Sequence, residues 1–325
     1  MLVILLLAAA AAGVIYAALR YHGLSLTLHG VRGDDDSVPE RSWSEVSGNY
    51  RSSESPYGAA EKMGFIIDRK LREVSGITYS RLHADNWWVH NDSGDAASLY
   101  AIDSSGHLLG TFRAVGAVNE DWEDIATGPG ADGSPALYVA DTGNNDRKRE
   151  FVVVYRVKEP EVGQSGGSAA DTQPVEPFQF VYPDGKHDAE ALIVDPGSGR
   201  IYIITKSKSE SPGLYRSPST LKTGTAMTLE RIQGNAMAKL SNLRLVTGAA
   251  TSPDGSRVMI RTYFTAYELY RAPGKGFETV FDSEPVQVNL PLEPQGEAIS
   301  YSLDGKSIVT TSEQIPAALN RLVRK

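Results

Sequence analysis

The chain of 325 residues contains no cysteine. That absence excludes disulfides, thiolate metal sites, iron–sulfur ligation and cysteine nucleophiles together, though not export. Histidine is scarce: the six are His22, His29, His83, His90, His107 and His187, and none forms a close pair at metal-ligand spacing. No glycine-rich phosphate cradle or dinucleotide fingerprint is present, so no nucleotide cofactor is expected. There is no Lys/Arg tract. The 32 basic residues are outnumbered by 40 acidic ones, for a net charge of −8, which argues against a nucleic-acid partner. Hydrophobic residues at 41% and charged residues at 22% are ordinary for a globular chain, and this excludes wholesale disorder.

What is present begins with Leu2–Leu19, an apolar run closed by Arg20. A core helix would carry a polar stripe, and this run has none. Its length approaches the ~20 residues of a spanning helix. Its alanine-rich small-residue triplets also resemble a signal peptide, although no basic residue precedes them. Residues 1–22 are therefore expected to be an apolar helix serving as signal anchor or cleaved signal. The protein would then be membrane-tethered or secreted, with its bulk outside the cytoplasm. Residues 23–63, with Asp34-Asp35-Asp36 and scattered serine, show no period of 2 or 3.6 and are expected to be a disordered spacer.

From residue 64 the chain repeats. Val74-Ser75-Gly76-Ile77, Trp122-Glu123-Asp124-Ile125, Ala189-Glu190-Ala191-Leu192, Val246-Thr247-Gly248-Ala249 and Gly296-Glu297-Ala298-Ile299 recur at intervals of 48 to 67 residues. Each phrase opens a strand-like run. A turn rich in Gly, Asp or Pro and a second strand follow, then a third (Leu99–Ile102, Val154–Val157, Leu214–Arg216, Leu269–Arg271). The fourth runs are expected at Leu108–Arg113, Phe178–Tyr182, Met227–Ile232 and Phe277–Phe281. Four antiparallel strands at a period of about 50 residues predict β-propeller blades, which bury their faces by radial packing. The fifth unit ends after its third strand, near Ala317–Val323. A strand at Gly64–Asp68 is expected to complete it and close the ring. The fold predicted for residues 64–325 is thus an all-β, five-bladed propeller. A six-bladed ring is the alternative, since the long second interval has room for an irregular unit. Most of its excess, Glu161–Thr172, reads as a flexible loop. Within it, Gly163-Gln164-Ser165-Gly166-Gly167 fits a nucleophile-elbow pattern without the required strand and helix.

The first two units carry specific motifs: Glu73-x-Ser75-Gly76-Ile77, His90-Asn91-Asp92-Ser93-Gly94, Asn119-Glu120-Asp121-Trp122-Glu123-Asp124-Ile125-Ala126 and Asp141-Thr142-Gly143-Asn144-Asn145. These resemble a family of exported bacterial β-propeller proteins, mostly uncharacterised. More distantly they are similar to the SdiA-regulated propellers and the esterase-like phytase domain. The resemblance spans Glu73 to Tyr155. Blade four departs from it, with Thr247-Gly248 in place of a carboxylate. The resemblance implies a propeller and export and carries no agreed activity.

Closed radial repeats turn equivalent positions toward one axis. Alignment of the phrases makes Ser75, Glu123, Glu190, Thr247 and Glu297 equivalent. Glu123, Glu190 and Glu297 are expected to converge at one end of the channel, as metal ligands for a hard cation such as Ca²⁺. Asp92, Asp141, Asn144, Lys206 and Arg261 are expected on the rim as ligand-binding groups, where Lys206 and Arg261 would neutralise the ring without metal. The bland reading gives the carboxylates strand-capping roles and makes Trp122 core. His187 and Glu190 are the candidates for acid–base catalysis. Two functional classes follow. One is a binding module for a small molecule, glycan or protein. The other is a metal-dependent hydrolase of phosphoesters, esters or lactones.

Overall fold

The computed structural model describes residues 55–163 and 169–325. Leu2–Leu19, most of the expected spacer and most of the nucleophile-elbow pattern lie outside the described residues. Among the described residues no helix is long and apolar enough to cross a membrane.

Five sheets form the five blades, each with four antiparallel strands running outward from an inner strand. Blade one comprises Val74–Tyr79, Asn86–Asn91, Ser98–Asp103 and Leu108–Arg113. Blade two comprises Trp122–Pro129, Pro135–Asp141, Val152–Lys158 and Glu176–Val181. In blade three the strands are Asp188–Val194, Ile201–Lys206, Leu214–Arg216 and Glu230–Ile232. Those of blade four are Val246–Thr251, Arg257–Thr262, Thr265–Tyr270 and Val286–Asn289. Blade five takes Gly296–Tyr301, Ser307–Ser312 and Ala317–Val323 from the C-terminus and its outer strand, Glu61–Ile66, from the N-terminus. The ring is therefore closed by pairing the two ends of the domain, and no sixth blade intervenes.

The blades share five cores, one at each junction. Tyr138, Phe178, Leu192 and Tyr215 join blades two and three, and Trp88, Phe112, Trp122 and Val139 join blades one and two. Burial on both faces explains why the strands are apolar along most of their length rather than alternating. A fully buried Glu268 fixes the closure. It accepts hydrogen bonds from the hydroxyls of Tyr57 (2.7 Å) and Tyr301 (2.9 Å) and from Arg324 Nη1 (2.7 Å).

Four details differ from the sequence reading. The closing strand starts three residues before Gly64, and buried Tyr57 bonds to Glu268, so the end of the expected spacer belongs to the propeller. Phe277–Asp282 is a 3₁₀ helix rather than a strand. Phe277, Val280 and Phe281 stand at i, i+3 and i+4, a helical spacing, and pack against Tyr202. The expected Met227–Ile232 strand is divided: Met227–Thr228 runs parallel to the edge of blade two, and Glu230–Ile232 completes blade three. Finally, the Glu161–Thr172 stretch is not all loop. Ala170–Asp171 pairs in parallel with Phe112 and Arg113 of blade one, held by an Arg113–Asp171 ion pair. That excursion accounts for the long second interval and covers an edge that would otherwise be open.

Candidate functional site

Each inner strand carries a β-bulge at the same place. The register skips Ser75, Glu123, Glu190, Thr247 and Glu297 in turn. A bulge leaves one residue unpaired and re-aims its side chain, so the recurrent phrase marks a local backbone device repeated five times. Where the bulged residue is not a carboxylate it ties blades together. Ser75 Oγ donates to the Glu123 carbonyl (2.7 Å), and Thr247 Oγ1 donates to the Gly296 carbonyl (3.1 Å).

The carboxylates gather on the side of blades one to three. Asp92, Asp121 and Glu123 have oxygens within 4.8 Å of one another, as do Glu123, Asp188 and Glu190. Glu123 belongs to both groups. Gly143 permits this approach, because a Cβ there would lie 2.3 Å from both Asp121 Oδ2 and Glu123 Oε1. Glu190 Oε1 pairs with Lys206 Nζ, while buried Glu190 Oε2 has no partner. Glu297 interacts electrostatically with Glu313, Glu190 and Lys206. It belongs to neither group of three.

Crowded, desolvated carboxylates resist ionisation. Burial, then the Glu190 charge, pushes Glu123 well above the usual carboxylate range. Burial pushes Glu190 up to about 8, with Lys206 working against it. Burial and the Glu313 charge push Glu297 up to about 9, and burial with the Asp92 charge takes Asp121 to about 6. The mouth is wetter than the floor: Glu123, Asp188, Glu190 and Glu297 are buried, whereas Asp92, Asp121, Lys206, Tyr263 and Glu313 are half-buried.

The floor is closed by Asp124, which sequence reasoning missed. The residues paired next after each bulge are Gly76, Asp124, Ala191, Gly248 and Ala298, and only Asp124 is large. Gly76 is held to its size, since a Cβ would meet Ile125 N at 2.9 Å and His90 Nε2 at 2.5 Å. Asp124 Oδ2 accepts the N–H groups of Leu192 in blade three (2.8 Å) and Ala249 in blade four (3.1 Å), and Oδ1 accepts that of Ile125 (2.8 Å). Blades two and four are not neighbours, so this carboxyl crosses the axis. The site is a cup with a floor.

The rim differs from the sequence alignment because that alignment slipped. The register makes Asn91, Asp141, Thr205, Thr262 and Ser312 equivalent. The next residues out are Asp92, Thr142, Lys206, Tyr263 and Glu313, which form the rim. Arg261 was expected on the rim but stands two positions further in. It is fully buried, bonding Glu293 Oε2 (3.0 Å) and the Ala298 carbonyl (2.7 Å). Asp141 is engaged by Arg149 (2.8 Å) and the Asp121 N–H (3.0 Å). Asn144 caps its own turn, accepting the Lys148 and Arg149 N–H groups. Both Asp141 and Asn144 position the rim rather than line it. His187 Nε2 bonds Asp184 Oδ1 (3.0 Å) and the Tyr215 hydroxyl (3.1 Å), apart from the carboxylate groups. The alignment missed Tyr263 by two positions and Glu313 by one.

No protein-family model matches this chain, and no curated protein matches it. Among solved structures it is similar to hydrazine synthase of Kuenenia stuttgartiensis, with 13% identity and a TM-score of 0.41 over 78% of this chain and 71% of that one.

Proposed function

We propose that the propeller is a ligand-binding module whose cup holds a hard divalent cation, Ca²⁺ by its all-oxygen donor set. One observation carries the reading. Buried Glu190 Oε2 has no hydrogen-bond partner, yet Glu190 lies within a group of three with Glu123 and Asp188. An unpaired buried carboxylate oxygen is costly, and a cation among these groups would satisfy it and lower the mutual repulsion of its neighbours. The apolar Leu2–Leu19 run supports an extracytoplasmic setting, membrane-tethered or secreted, where Ca²⁺ is abundant. The binding role is preferred to a hydrolase because His187, a candidate base, belongs to neither carboxylate group and bonds instead to Asp184 and Tyr215.

The test is thermal unfolding of the full-length chain with Ca²⁺ and with chelator. Binding to the folded state alone adds about 2.7 kcal/mol at a hundredfold excess over the dissociation constant. At about 2–4 °C per kcal/mol for a domain of this size, the melting temperature should rise by roughly 5–10 °C. Glu190→Gln should remove most of that rise. Melts of the parent chain that are identical with Ca²⁺ and with chelator would end the cation reading.

A further inference from the structure

We propose that Lys206 and Tyr263 form the anion-recognising edge of the cup, and that its ligand is a small molecule bearing an oxyanion, phosphate or carboxylate, held between the cation and the Lys206 ammonium. This rests on the cation reading above. The rim is polarised. Of its five positions, blades one and five supply the acceptors Asp92 and Glu313, while adjacent blades three and four supply Lys206 and Tyr263. The fifth, Thr142, spends its hydroxyl on the Ala189 carbonyl (2.7 Å).

Lys206 Nζ touches Glu190 Oε1 and the Tyr263 hydroxyl (3.0 Å). In this arrangement Lys206 is the counter-ion of Glu190. A divalent ion among Glu123, Asp188 and Glu190 takes over that role and repels the ammonium. Its four-carbon stem lets Nζ swing toward the mouth, where the side chain is already 12% exposed. Tyr263 accepts from Lys206 through its oxygen, and its own O–H proton has no acceptor among the described residues. The cation-loaded cup therefore presents an ammonium, a free phenol donor and a metal charge on one side. Charge-assisted bonds of this kind select oxyanions. The next residue on the same turn, Phe264, is 41% exposed and offers apolar surface to the body of the ligand.

The experiment is calorimetric titration of the full-length chain, first with Ca²⁺ alone and then, Ca²⁺-loaded, with phenyl phosphate and separately with benzoate. These probes share a ring and differ in the anion, so the stronger arm identifies the head group. The parent chain should bind one of them only when Ca²⁺ is present. Lys206→Met should bind Ca²⁺ at least as tightly, having lost a competing charge, and bind the anion at least tenfold more weakly. Tyr263→Phe, the milder change, should weaken the anion several-fold and leave Ca²⁺ binding unaltered. If the parent chain binds Ca²⁺ but neither anion, or if both variants bind the anion as well as the parent, the anion edge is refuted and the cation site stands. If the parent chain takes no Ca²⁺, both fail.

Discussion

Removing the Asp124 carboxyl tests the floor of the cup. Asp124→Ala deprives two N–H groups, in residues 0% and 1% exposed, of their acceptor across the axis. Each such orphan costs about 1–3 kcal/mol, so the pair should cost about 4 kcal/mol where the carboxyl carries its proton. Burial pushes Asp124 up to about 8, against the pull of the N–H groups of Leu192, Ala249 and Ile125. Between the unfolded value of 3.8 and about 8 the folded state binds more protons than the unfolded state, so this group's contribution to stability falls as pH rises through that window. The parent chain then gives up roughly 3–4 kcal/mol between pH 5 and pH 8 that the variant does not. The loss caused by Asp124→Ala should therefore be about 4 kcal/mol at pH 5, or roughly 8–16 °C in melting temperature, and should nearly vanish at pH 8. Thermal and urea melts at the two pH values measure the gap. A gap that widens with pH would mean that the N–H groups keep the carboxylate ionised, and a gap below 1 kcal/mol at both would mean that Asp124 does not bind the blades across the axis.

Gly143→Ala would place a Cβ 2.3 Å from carboxylate oxygens of both Asp121 and Glu123. It should cost about 1–3 kcal/mol by overpacking and weaken the proposed Ca²⁺ response at least tenfold, and a normal response in calorimetry would count against Glu123 serving in both groups. His90 is fully buried, and burial lowers it to about 4 from 6.5, so the unfolded chain takes up its proton first. Stability should fall by about 3 kcal/mol as pH drops from 6.5 to 4, and His90→Gln should flatten that limb of the melting profile. Parallel profiles for parent and variant would contradict it.

The five bulges explain why much of this was legible. A bulge needs a particular local sequence, and its recurrence wrote Ser75, Glu123, Glu190, Thr247 and Glu297 into visible register. Blade number followed from the same phrases, and the missing outer strand followed from a unit that ends one strand short. The rim was less legible because a displacement of one or two residues along a second strand replaces the residue that reaches the mouth, and a side chain changes face with each residue. A two-residue slip placed Arg261 at the mouth, although it lies in the core beside Glu293, and concealed Tyr263. In blade four, apolar residues at Phe277, Val280 and Phe281 satisfied a strand by composition but a helical turn by spacing.

The sequence by itself determined an all-β ring of five repeats, the pairing of its two ends, and a set of carboxylates turned toward one axis. Repetition and alternation are local properties, and closed rotation converts them into convergence without further information. Only the tertiary structure decided which carboxylates meet. It drew Asp92, Asp121 and Asp188 around Glu123 and Glu190, left Glu297 with Glu313, and paired Lys206 with Glu190. It also sent Asp124 across the axis to blades three and four. Those choices depend on distances of a few ångströms between residues far apart in the chain. At that range charge, burial and a missing Cβ at Gly143 outweigh anything that spacing along the sequence encodes.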